Sequence, residues 1–102
     1  MSFSQTGGVR IGRSALLGFS ATWPFAGLTV DDTELALSFL TQRWMFPKSS
    51  VERLRKYRGA FSTGLRIEHA IPRYPSFVVF WTFRFDALKQ ELERYGYTVS
   101  GD

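Results

Sequence analysis

A chain of 102 residues with a net charge of +4 is long enough for one domain with one core and too short for two. At 44% hydrophobic and 22% charged residues it has the composition of a folded globule, which excludes intrinsic disorder. It has no cysteine, which excludes disulfides, thiolate metal sites and cysteine nucleophiles and fits a reducing compartment, so the expected location is the cytoplasm.

Residues 1–13, small, polar and glycine-rich, read as a flexible arm ahead of a single domain over 14–102. Gly7 to Ser14 spells G-x-x-x-x-G-R-S, one residue away from a phosphate-binding loop. The lysine that would touch phosphate is missing and no strand precedes the glycines, so nucleotide binding is not expected. The apolar run Ala15–Leu17 behind Arg10 and Arg13 is shorter than a signal segment needs. Ser14–Val30, the longest uncharged stretch, is too polar and broken to span a membrane.

From residue 15 the pattern has mostly period two. Strands are predicted over 15–23 and 26–30, with Pro24 at an end, an edge or a bulge because it lacks a backbone donor. Asp31, Asp32 and Thr33 signal a turn into Glu34–Leu40, where Leu35, Leu37 and Phe39 point inward and Ala36 and Ser38 outward. A short strand at 44–46 stops at Pro47. Val51–Arg58 is ambiguous between helix and strand, and the lack of a sustained helical period favours a strand. Strands follow at 64–71 and 77–83. Asp86–Tyr95 is helical: Phe85, Leu88, Leu92 and Tyr95 form an apolar stripe, and Gly96 is a natural stop. About seven strands and then one helix give an α+β plan, or a β-barrel closed by the helix.

The stretches ATWPFAGLTV (21–30), FPKSSVERLRKY (46–57), LRIEHAI (65–71) and FVVFWTFRFDALKQELERYGYTV (77–99) taken together resemble small bacterial proteins of the pleckstrin-homology-like class. The resemblance implies a mainly β, half-open antiparallel barrel of about seven strands closed by one C-terminal helix. Members that bind phosphoinositides use a basic cluster around the first two strands. Ser14–Val30 has no Lys or Arg, so the resemblance does not extend to that activity.

No nucleophile–base–orienter set is visible, and the chain is not expected to be an enzyme or to carry a cofactor or metal. His69, the only histidine, reads as partly buried and hydrogen-bonded. Arg53, Arg55, Lys56 and Arg58 form the only basic run, with Lys48 nearby. On a strand, Arg53 and Arg55 share a face with Tyr57, while Lys56 and Arg58 share the other, and Arg66 and Glu68 lie in reach for pairing across the sheet. Trp44, Phe46, Tyr57 and Tyr74 are the aromatics that could accompany these cations at a single-stranded nucleic acid. In SFVVFWTFRF (76–85), Val79, Trp81 and Phe83 are predicted to be core. Val78 and Phe80 fall on the opposite face and mark a partner surface if the chain does not cover them. The expected function is non-catalytic binding or scaffolding, with a protein or a second copy as partner. The alternative is peripheral binding of anionic membrane lipid or nucleic acid through the run 53–58.

Overall fold

A computed structural model describes residues 1–12, 18–59 and 62–101. The elements are β1 (Phe3–Gly12), β2 (Gly18–Val30), β3 (Glu34–Phe39), β4 (Gln42–Pro47), a 3-10 turn at Lys48–Ser50, β5 (Val51–Arg58), β6 (Thr63–His69), β7 (Phe77–Thr82), α1 (Phe85–Arg94) and β8 (Val99–Ser100). The strands form one curled sheet, a half-barrel, in the order β4-β3-β2-β1-β7-β6-β5-β8. Neighbours are antiparallel except β5 and β8. The two strands expected at 15–23 and 26–30 belong to one long β2, although residues 15–17 lie outside the described ones. Among the described residues, no helix is long and apolar enough to cross a membrane.

The flexible arm is a correction. β1 is a central strand, paired with β2 along its length and with β7 over Gly8–Gly12. Its glycines serve close packing, not mobility. A Cβ on Gly7 would overlap the Trp81 carbonyl oxygen and come within 2.7 Å of the Phe80 ring. Gln5 fastens the outer half of the strand: its amide donates to the Arg84 carbonyl at 3.2 Å, and its Oε1 accepts from the Thr82 hydroxyl. The described part of the phosphate-loop spelling, Gly7–Gly12, is thus strand with three glycines in it, and Arg13 and Ser14 lie outside the described residues.

Pro24 takes one of its three expected places. The register of β1 on β2 jumps from Gly7↔Ala26 to Val9↔Ala21, so Thr22–Phe25 bulge out opposite Gly8, and the cis Trp23–Pro24 bond lies within the bulge. A residue without an N–H fits where the ladder is interrupted. The following turn is held by the Asp31 carboxylate, which accepts from the Thr33 N–H at 2.8 Å, the Thr33 hydroxyl at 2.8 Å and the Glu34 N–H at 2.9 Å. These bonds, the Thr33 backbone N–H foremost, hold its pKa below the ordinary carboxylate value. Leu35, Leu37 and Phe39 are buried as expected. Ala36, expected to face outward, is buried as well, in register between Thr29 and Met45 on the neighbouring strands.

The core lies in the concavity of the sheet, where Val9, Leu28, Leu37, Phe46, Leu65 and Ile67 meet Phe85, Leu88 and Leu92 of α1. The helix ends as the sequence predicts. Gly96 adopts φ +91°, its N–H bonds the Glu93 carbonyl at 3.1 Å, and the Tyr97 N–H reaches back to Leu92 at 2.9 Å.

Tyr97 lies in the core, and its hydroxyl has no hydrogen-bond partner among the described residues. Burial, with smaller contributions from Asp31, Glu34 and Asp32, pushes its pKa from 10.0 up to about 12. Between those values the folded chain keeps a proton that the unfolded chain loses, so stability falls as pH rises through that window. Tyr97→Phe should remove this alkaline component and cost nothing near neutral pH, because no hydrogen bond is lost. Urea midpoints of both proteins at pH 9 and about pH 11.5 test it. Equal alkaline losses in the two would contradict the assignment.

Candidate functional site

The face of SFVVFWTFRF that builds the core is the opposite of the predicted one. Val78 and Phe80 are 0% exposed and sit in the core, whereas Phe83 is 75% exposed and Trp81 half-buried. Val79 is buried, but on the outer face in register with Arg10 and Arg66. The register gives the reason: Phe80 pairs with Val9 and Leu65, and Val78 with Ile11, all inward-facing. Val78 and Phe80 therefore cannot be a partner surface.

Two register rows cross the outer face of β1, β7, β6 and β5. One runs Gly8–Trp81–Gly64–Tyr57, the other Arg10–Val79–Arg66–Arg55. They are two residues apart along each strand, about 7 Å. The glycines let the Trp81 ring lie down on the sheet: a Cβ on Gly64 would be 2.9 Å from its Cε3, and one on Gly59 2.7 Å from its Cη2. Tyr57 stands edge-on to both Trp81 and Phe77, at 5.7 and 5.6 Å between ring centroids. The Arg66 guanidinium lies 5.1 Å over the Phe77 ring.

Beside Trp81 a cleft of about 430 Å³ opens under the β2 bulge, walled by Trp23, Phe83 and Arg10, with Trp81 in its lining. Trp23 and Phe83 meet edge to face at 6.1 Å. A more polar hollow shares Ser62, Thr82 and Phe83 with this cleft and adds Lys56, Arg84 and Asp86.

The basic run does not act as one surface. Arg53 and Arg55 are on the outer face. Arg53 donates to the Ser100 hydroxyl at 3.1 Å, and Arg55 Nε lies 2.8 Å from Glu68 Oε2, with Arg66 Nε 4.0 Å from the same oxygen. These are ion contacts, for neither Nε–H finds a hydrogen-bond acceptor among the described residues. Lys56 is on the other face, its ammonium 5.3 Å over the Phe85 ring, and Arg58 is exposed at the end of β5. Lys48 belongs elsewhere: it donates to the Tyr95 carbonyl at 2.6 Å and lies 4.6 Å over the Tyr97 ring, completing the helix end where a cation is favoured. Three of the four aromatics expected beside the cations are engaged with one another, Tyr74 stacking on Trp44 at 4.8 Å and meeting Phe46 at 5.2 Å.

His69 is structural. Its Nδ1 accepts from the Ile71 N–H at 3.0 Å, so Nε2 carries the proton and donates to the Pro75 carbonyl at 2.9 Å. Among the described residues, no group of His, Asp and Glu is arranged to hold a metal ion.

Trp23, Phe83 and Arg10 are the site residues that sequence reasoning leaves out. The signal for Trp23 is Pro24, which breaks the ladder and pushes its neighbours out of the sheet. No protein-family model, no curated protein and no solved structure matches the chain.

Proposed function

We propose that the chain is a non-catalytic recognition module of pleckstrin-homology-like architecture, working in the cytoplasm, with the aromatic cleft and the adjoining arginine row as its binding surface. The architecture is supported by the mostly antiparallel meander, the return of β7 to β1, the opening between the edge strands β4 and β8, and the helix α1 after the last long strand.

One observation carries the functional reading. Among the described residues five large hydrophobic side chains are exposed, and three of them, Trp23, Phe25 and Phe83, lie on the bulge or face it. Exposed apolar surface of this size is unfavourable in water and marks interaction sites when it is contiguous and rimmed by charge. The rim is cationic: Arg10 lines the cleft, and Lys56 and Arg84 line the adjoining hollow against the single acid Asp86. The surface therefore suits a partner with an apolar, flat part and negative charge beside it. A second copy of the chain fits less well, because each copy brings net charge +4 and cations would face cations.

The dye 1-anilinonaphthalene-8-sulfonate has both features and tests the cleft directly. It should bind the native protein and brighten. Phe83→Ser should reduce the signal several-fold while leaving the melting temperature within a few degrees, because Phe83 is exposed. A signal unchanged by Phe83→Ser would remove the cleft as the binding surface.

A further inference from the structure

Resting on the reading of the cleft as a recognition surface, we infer that its occupant is a single strand of nucleic acid, with a base stacked on Trp81 beside the Trp23–Phe83 pair and the backbone running along Arg10, Arg66 and Arg55. Three features of the surface point there. Trp81 lies across two glycines, which turns an edge-on ring into a platform, and a broad ring face on a cleft wall is of use mainly to a flat partner. The arginine row lies about 7 Å from the aromatic row, a spacing that lets one nucleotide place its base on one and its phosphate on the other. Among the described residues Arg55 and Arg66 share one carboxylate, that of Glu68, so two cations meet one anion in this part of the row.

The alternatives match fewer of these features. A bilayer is flat and reaches the exposed rings of the bulge, but not a ring inside a cleft. A duplex hides its base faces and could use the arginines alone. An acidic peptide offers charge, but meets the Trp81 platform only where it carries an aromatic side chain.

A fluorescein-labelled 12-mer of deoxythymidine, titrated with the protein at low salt and read by anisotropy, tests the inference. Duplex DNA, phosphatidylglycerol vesicles and a Glu-rich peptide containing Phe serve as parallel arms. The single strand should bind tightest, and its affinity should fall with salt, with a slope of about 0.7 per phosphate contacted. Trp23→Ala combined with Phe83→Ala should weaken binding about tenfold or more. Arg66→Gln should reduce the salt slope by about one contact. Arg94→Gln removes the same charge at the far end of α1, roughly 15 Å from the helix start that lines the hollow, and should have no comparable effect. Circular dichroism melts confirm that each variant folds.

Single-strand binding no tighter than duplex, or indifferent to the aromatic pair, overturns the inference, as does tighter capture of vesicles or peptide. If the naphthalene sulfonate still docks in the cleft while the oligonucleotide does not, the nucleic-acid inference falls and the recognition surface stands. If the dye fails as well, both fall.

Discussion

Phe80→Ala is expected to cost about 3–5 kcal/mol, the range for emptying a buried aromatic site. Phe83→Ala, three residues on, is expected to cost less than about 0.5 kcal/mol. Both residues belong to one apolar run, and composition does not separate them. Register does. Phe80 is 0% exposed, pairs with Val9 on one side and Leu65 on the other, and its ring fills the space left by the missing side chain of Gly7. Phe83 follows the end of β7 with three quarters of its surface in water. Domains of this size have about 5–15 kcal/mol of total stability, so Phe80→Ala should leave a chain close to its unfolding threshold at 37 °C. Urea titrations of the two variants decide the matter. A larger loss in Phe83→Ala would return the core to the opposite face of the strand.

Gly7→Ala is expected to destabilise by about 3 kcal/mol or more, at the upper end of overpacking changes. The added Cβ would meet the Trp81 backbone carbonyl, which cannot swing aside as a flexible side chain would, and the Phe80 ring beyond it. Gly27→Ala is the matched control on the neighbouring strand. The nearest atom to its Cβ would be the Gln5 carbonyl oxygen at 3.7 Å, an ordinary contact. That change should be neutral or stabilising by up to about 1 kcal/mol, because it restricts the unfolded chain. Equal tolerance at both positions would mean that β1 and β7 do not approach as closely as described.

These two variants mark where the sequence was readable and where it was not. The β-rich plan, the hairpin at Asp31, the strand at 51–58 and the helix with its Gly96 stop were all legible, because each carries a local signal: alternation, turn chemistry or a 3.6-residue stripe. The phase of β7 was not. Phe77, Val78, Val79, Phe80 and Trp81 are apolar on both faces, so a period of two has no preferred parity, and only the partners on β1 and β6 set it. β1 was missed because glycine reads as flexibility when seen alone. Its inward residues Val9 and Ile11 alternate with Gly8, Arg10 and Gly12, a signal present but short.

The candidate site suffered most from this error. With parity reversed, Trp81 and Phe83 move from core to surface, and the aromatics that looked available, Trp44, Phe46 and Tyr74, close on one another instead. Glu68 shows how local reading is outrun by register: its reach to Arg55 is diagonal across β5 and β6, since its direct partner is Arg53. The functional weight thus shifts from a linear basic run to a surface that no contiguous segment contains.

The three tryptophans give the most direct test of that surface. Trp23 and Trp81 line the cleft, while Trp44 is stacked on Tyr74 away from it. In a 15N–1H correlation spectrum each indole N–H gives its own peak. Titration with 1-anilinonaphthalene-8-sulfonate should move the Trp23 and Trp81 peaks along saturable curves and leave the Trp44 peak in place. Movement of Trp44 alone, or no movement of any indole peak at saturating dye, would contradict the assignment of the cleft as the binding surface.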